Sequence, residues 1–244
     1  MNLHTVTITG ADDSINPSDI VHLSQKYPYV EWGLLLSSNV REGVCRFPSL
    51  EWLENLSKAA VPKPFLPPIK FSGHFCGNLV SNFVLGNLPT SEQIPTWLWK
   101  MIQRIQINFH GVPHHPKSEF YGKLPRAMKA SGKQFIFQAD NVNEDLFWGI
   151  RNYGVDAVPL FDLSHGGGVV PISWPEPFPG VMCGYAGGLG PRNLKDQIEK
   201  ISSLVGDHDI WIDMETNVRS NADRQFDLEK VETCLKIAEP HVTP

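Results

Sequence analysis

Apolar and polar positions alternate along this chain in blocks whose period switches between that of a strand and that of a helix. Residues 6–9, Val-Thr-Ile-Thr, are β-branched and stop at Gly10, which predicts a first strand. Asn16-Pro-Ser-Asp19 then supplies an N-cap, a proline at the first helical position and an acid in the first turn, so a helix follows to about Lys26. The nearly continuous apolar run at 30–36 suits a strand buried on both faces. Ser49 caps a second helix reaching about Ala59, and four prolines within 62–68 make a loop.

The same alternation continues. A third strand is predicted over 69–76, a helix over 78–85, and an additional amphipathic piece over 92–101 that carries Trp97 and Trp99. A fourth strand follows at 105–109, and then a weakly helical region, 112–131, interrupted by Pro113, Pro116 and Pro125. A fifth strand at 134–138, a helix at 143–153 and a sixth strand at 155–161 come next. The stretch from Asp162 to Gly180 is rich in glycine and proline and holds no clear helix. The apolar run 179–186 then breaks at Gly187-Gly188 and leads into a helical segment at 193–204. A last apolar run, 210–214, ends in Glu215-Thr-Asn-Val-Arg219, and a further helix pattern starts at Phe226.

Eight strand-like runs alternating with helices predict a closed parallel (β/α)8 barrel, a TIM barrel, as one domain over 1–244 with the helix after the sixth strand short or missing. The 244 residues lie close to the roughly 250 usual for such a barrel. No compositional break marks a linker, and no GxGxxG turn follows the first strand, which disfavours a dinucleotide-binding sheet. A net charge of −5 without a basic run argues against a nucleic-acid surface. No apolar stretch approaches the ~20 residues of a membrane span, and the first residues lack the pattern of a signal peptide. Cys45, Cys76, Cys183 and Cys234 are far apart and form no CxxC pair. The expectation is a cytoplasmic protein with free thiols.

In such a barrel the chemistry sits at the C-terminal strand ends. Those positions hold Thr9, Asp12 and Asp13; Ser37 and Arg41; His74 and Cys76; Asn108 and His110; Gln138 and Asp140; Asp162, Ser164 and His165; Tyr185; and Asp213, Glu215 and Arg219. The turns at Gly187-Gly188 and Thr216-Asn217 are the candidate holders of an anion, with the helix that starts near Asn193 adding its dipole.

Taken in order, these motifs resemble phosphoribosylanthranilate isomerase, an enzyme of tryptophan biosynthesis. Ile8-Thr-Gly10 stands where that family has Ile-Cys-Gly, and Asn108-Phe-His-Gly111 is similar to its Gln-Leu-His-Gly. Leu160-Phe-Asp162 followed by Gly166-Gly-Gly168 resembles its Leu-Leu-Asp with a downstream glycine pair. Ala186-Gly-Gly-Leu189, with Pro191 and Asn193, is similar to its Ala-Gly-Gly-Leu-x-Pro-x-Asn, and Ile212-Asp213 with Asn217-Val218 echoes its last turn.

The resemblance implies an isomerase or lyase without a cofactor, acting on a small, anionic phosphorylated sugar or phosphoribosyl compound. It implies Asp162 as general acid/base, Arg41 or Arg46 for a substrate carboxylate, and Asn108, His110, Gly187, Gly188, Thr216, Asn217 and Arg219 as substrate-binding residues. Two positions depart from the family. Thr9 replaces the cysteine base, which brings Cys76 forward as a substitute. Glu215 places a negative charge at the phosphate turn, which Arg219 or Arg192 would have to neutralise. The chain is therefore read as a divergent relative rather than the tryptophan enzyme itself. Two other readings stand beside it. One is a metal-dependent epimerase or hydrolase using His74, His110, Asp140, Asp162 and His165. The other is a non-catalytic anion-binding relative.

Overall fold

The computed structural model describes residues 1–37, 46–62, 64–108, 117–139, 143–162 and 168–243, with backbone only for 117–121. Eight parallel strands close into a barrel in sequence order. They are β1 (Asn2–Thr9), β2 (Val30–Ser37), β3 (Lys70–Cys76), β4 (Arg104–Ile107), β5 (Gln134–Gln138), β6 (Ala157–Asp162), β7 (Cys183–Ala186) and β8 (Asp209–Met214). Closure comes from β1 pairing with β8, Thr7 opposite Asp213 and Ile8 opposite Met214. The expected (β/α)8 architecture is what the chain adopts.

The helices are α1 (Pro17–Lys26), α2 (Leu50–Ala59), α3 (Asn78–Val84), α4 (Thr96–Met101), α5 (Lys117–Ser131), α6 (Glu144–Asn152), α7 (Leu194–Val205) and α8 (Leu228–Ala238). Asn16 and Ser49 cap α1 and α2 as their sequence predicts, each side chain accepting a backbone N–H two or three residues on. The helices are unevenly shared. Two lie between β3 and β4, and none lies between β6 and β7 among the described residues. There, aromatic side chains cover the barrel wall instead. Phe178 packs against Phe147, Trp148 and Phe161 with ring centroids 5.2–5.6 Å apart, and Trp174 stands edge-on to Tyr185. The indole of Trp174 also donates to Gln197 of α7.

One expectation is corrected. The proline-interrupted region resolves into a single helix, α5, with Pro125 inside it. Leu124, Ala127 and Met128 are buried against the core, and that tertiary packing outweighs the local penalty of the proline. A feature the sequence did not suggest is a small antiparallel pair after the barrel, β9 (Arg219–Ser220) with β10 (Gln225–Phe226).

The barrel interior is unusually polar. Arg104 forks onto Glu31, Nε to Oε2 at 2.7 Å and Nη2 to Oε1 at 2.6 Å, and Thr7 donates to the same carboxylate at 3.0 Å. The guanidinium also lies over the ring of Trp211, 4.8 Å from its centroid. Burial alone would raise the pKa of Glu31, but attraction and hydrogen bonds from Arg104 overcome it and hold the carboxyl below its usual range. One level higher, His74 lies 3.2 Å from Ser72 Oγ. Burial pushes its pKa down to about 4, so the imidazole is neutral at physiological pH. Gly33 faces this layer. A Cβ there would stand 2.2 Å from Thr9 Oγ1 and 2.8 Å from His74 Nε2, so only glycine leaves room for both.

Candidate active site

The polar interior continues upward to the C-terminal strand ends, because alternate residues of each strand point inward. On β8 these are Trp211 and then Asp213; on β1, Thr7 and then Thr9. The seam between β1 and β8 brings Thr9 against Asp213, and its Oγ1 donates to Asp213 Oδ1 at 2.8 Å. Asp213 is 8% exposed. Burial first, and then the negative charges of Glu215, Glu31 and Asp162, push its pKa up to about 8, against the lowering effect of the Thr9 hydrogen bond. A carboxyl in that range gives or takes a proton near neutral pH.

Asp213 forms the floor of a cleft of about 50 Å³ that Gln106, Asp162, Gly187, Gly188, Glu215, Thr216 and Asn217 also line. The structure thus brings together Asp162, both glycines, Thr216 and Asn217, five of the residues singled out in the sequence. Thr9 joins them through its bond to Asp213. Arg41 and His110 lie outside the described residues.

Several side chains have partners within the protein. Asn217 Nδ2 donates to the Gly188 carbonyl at 2.6 Å, and Asn193 Nδ2 donates to the same oxygen at 2.9 Å. Asn217 therefore clasps the β7 turn to the β8 turn. Gly188, at φ +62°, is needed because the chain itself comes close: an added Cβ would meet Val170 N at 2.4 Å. Arg219 is wholly buried at its side chain. It binds the Gly10 carbonyl, Asp12 Oδ2 at 2.6 Å and Asp223 Oδ1 at 2.8 Å, pinning the β1 loop under the β8 turn.

The cation that meets Glu215 is Arg46, neither Arg219 nor Arg192. Arg46 Nη1 pairs with Glu215, its Nε donates to Asp223 Oδ2 at 2.6 Å, and its backbone N–H donates to Asp12 at 2.8 Å. Burial still raises the Glu215 pKa in spite of Arg46, although water reaches the 31% of its side chain that stays exposed and limits the effect. Cys76 accepts a hydrogen bond from Asn108 Nδ2 at 3.3 Å. Burial raises its thiol pKa, with Glu215 adding to the rise, so the thiolate that a base at this position would need is disfavoured. Gln106 Nε2 donates to Asn108 Oδ1 at 2.9 Å, and its Oε1 has no partner.

Two further depressions flank the cleft. A groove of about 390 Å³ on the other side of the β7 turn is lined by Gly190, Arg192, Asn193, Asn217, Arg219 and Lys230. A larger one, about 710 Å³, runs between Phe47–Leu53 and Glu92–Leu98. Asp12, Asp13, Glu51 and Glu92 also line it, but Asp12 is tied to Ser14 and Arg219 and Asp13 to Ser49, which leaves the smaller cleft with its buried Asp213 as the candidate site. Among the described residues no three His, Cys, Asp or Glu side chains stand close enough together to hold a metal ion; Asp140 and His165 lie outside them.

Asp213 is the residue that sequence reasoning undervalued. It stands in the polar ring of strand-end residues, and the alternation of the last strand is the signal that could have found it. Only closure of the barrel gives it Thr9 as a neighbour.

The sequence matches no family model and no curated protein. In three dimensions the chain is similar to phosphoribosylanthranilate isomerase from Thermotoga maritima, solved as monomers of that dimeric enzyme. The TM-score is 0.54 at 14% identity, over 98% of this chain and 100% of that one. At this identity the likeness is one of fold, a (β/α)8 barrel traced over the whole chain.

Proposed function

We propose that this barrel is a proton-transfer isomerase acting on a small hydroxy-carbonyl compound of sugar type, with Asp162 and Asp213 as its acid–base pair. The observation that carries the reading is Asp213, a buried carboxyl with a pKa near 8, on the floor of a cleft that Asp162 also lines. Asp213 holds a proton near neutral pH and acts as the acid; Asp162 acts as the base. Asp162 removes the proton from the carbon beside the carbonyl while Asp213 protonates the carbonyl oxygen, giving an enediol. Asp162 then returns its proton to the former carbonyl carbon, and Asp213 recovers one from the second oxygen. The hydrogen count is conserved, and the carbonyl has moved by one carbon. Thr9 orients Asp213 and takes no proton itself.

Likeness to an isomerase of the same fold supports this reading. The anionic substrate suggested by the sequence has weaker support. Among the described residues three carboxyl groups line the cleft, and the cations near the β7 turn, Arg192 and Lys230, line the outer groove instead. The test is solvent exchange. The purified chain is incubated in D₂O with a panel of small aldoses and ketoses, free and phosphorylated, and deuterium at the carbon beside the carbonyl is followed by proton NMR. Exchange is expected with at least one compound, reduced about 10²-fold or more in Asp162→Asn and in Asp213→Asn. No exchange across the panel, or variants as active as the parent, would refute the assignment.

A further inference from the structure

The chain carries a net charge of −5, yet one of its helices turns a cationic side to solvent. Among the described residues the exposed charged side chains of α5 are Lys123, Arg126 and Lys129. Spaced three apart, they make no basic run in the sequence but share one side of the helix. Lys133, at the entry to β5, prolongs the stripe. Its Nζ donates to the carbonyls of Trp99, at 2.8 Å, and Ile102, at 2.6 Å, which brings it next to the exposed Lys100 of α4. Among the described residues no carboxylate pairs with any of these five cations. The fold gains little from the stripe. Like charges three residues apart destabilise a helix, and only Lys129, in the last turn, is favoured by the helix dipole. The second observation is apolar surface on both flanks. Leu85 is 40% exposed and Leu88 39% on one side, and Tyr153 is 43% exposed on the other. A Cβ on Gly86 would stand 2.6 Å from Lys123 Cβ, so the 85–88 turn lies against the start of the stripe, and Arg126 Nε lies 3.4 Å from the Tyr153 hydroxyl.

We infer that this face docks on the surface of an anionic phospholipid bilayer, with Lys123, Arg126 and Lys129 against the headgroups and Leu85 and Leu88 entering the boundary below them. Cations bordered by exposed apolar side chains are what such a boundary rewards: the charges meet anionic headgroups and the leucines leave water. A nucleic acid would answer the cations and gain nothing from the leucines. The chain's net negative charge does not cancel the attraction. Salt screens charges over about 10 Å at 0.1 M, so a membrane in contact with the stripe senses the stripe first. Asp156, the acid nearest to Tyr153 in sequence, accepts from Gln134 Nε2 at 3.2 Å and pairs with none of the cations. The inference concerns the outside of the barrel and does not depend on the chemistry of the cleft.

Co-sedimentation of the full chain with vesicles tests this, using phosphatidylcholine alone and phosphatidylcholine mixed with phosphatidylserine, at low and at physiological salt. Binding is expected to the mixed vesicles, at least tenfold weaker to phosphatidylcholine alone, and weaker as salt rises. Replacing Lys123, Arg126 and Lys129 together by glutamine, a good helix former, should cost about 10²-fold, at roughly fivefold per cation. Glutamine at Lys58, Lys195 and Lys200, exposed on α2 and α7, makes the same change in net charge and should leave binding as it was. Leu85→Ser combined with Leu88→Ser should weaken binding severalfold; if that variant does not fold, the two glutamine triples decide. A double-stranded oligonucleotide is the competing probe. Equal binding to both kinds of vesicle, no binding at low salt, equal loss in the two glutamine triples, or a folded serine variant that binds like the parent would each overturn the inference. So would an oligonucleotide held by the same stripe more tightly than the mixed vesicles.

Discussion

Thr9 Oγ1 and Asp213 Oδ1 lie 2.8 Å apart across the seam where the first strand of the barrel meets the last. The hydroxyl donates to a carboxyl that burial would otherwise keep protonated still more strongly. Thr9→Val keeps the shape and removes the donor. Asp213 should then lose its proton at a pH above about 8, and the high-pH limb of any activity should move up with it. Carbon NMR titration of the Asp213 carboxyl checks this. A midpoint unchanged in the valine variant would show that the hydrogen bond carries no energy.

The raised pKa of Asp213 also sets a stability slope. Between its ordinary value of 3.8 and about 8, the folded chain holds a proton that the unfolded chain has released. Stability from this group is therefore present at low pH and lost as pH rises through that window, by up to about 1.4 kcal/mol per pH unit. Asp213→Asn removes the slope. The stability of the variant relative to the parent should grow steadily from pH 5 to pH 8 in urea unfolding. A parent that gains on the variant as pH rises would reverse the sign and refute the assignment.

Arg104 and Glu31 should be far more costly to separate than to remove together. Arg104→Met leaves a buried carboxylate facing Thr7 and Trp211, at a cost of about 3–5 kcal/mol. Adding Glu31→Leu should recover most of that loss. Denaturation midpoints of the two variants give the answer, and a double variant no better than the single one would mean that the pair is not energetically coupled.

The chain should not replace the tryptophan-pathway isomerase. Thr9 stands where that family uses a thiol, Cys76 is held as a thiol by burial, and the acidic cleft opposes a phosphate. A bacterium lacking its own isomerase and expressing this chain is expected not to grow without tryptophan. Robust growth would show that Asp213 or another group serves as base for that substrate.

The barrel was legible because strand and helix periods are local. The caps at Asn16 and Ser49, the apolar run before Gly187 and the glycine- and proline-rich stretch after Asp162 each speak for themselves. What depended on closure was not legible. Asp213 reads as one acid in a strand until Thr9, far away in sequence, becomes its neighbour. Glu215 asks for a cation, and the sequence offers Arg192 and Arg219 nearby, whereas the fold supplies Arg46 from the β2 side. Arg219 and Asn217 have the right chemistry for a ligand but are spent on holding two loops together. The amphipathic content of α5 was masked by Pro125, whose local cost is outweighed by the helix's buried face.

The seam between β1 and β8 makes the proposed catalytic carboxyl a product of ring completion. Its hydroxyl partner lies on the first strand of the barrel and the carboxyl itself on the last. A nascent or split chain can form several of its strands and helices and still have no tuned acid. Chemistry at Asp213 therefore reports circularisation of the sheet, and two inactive fragments of this chain would acquire it together, at the moment they join.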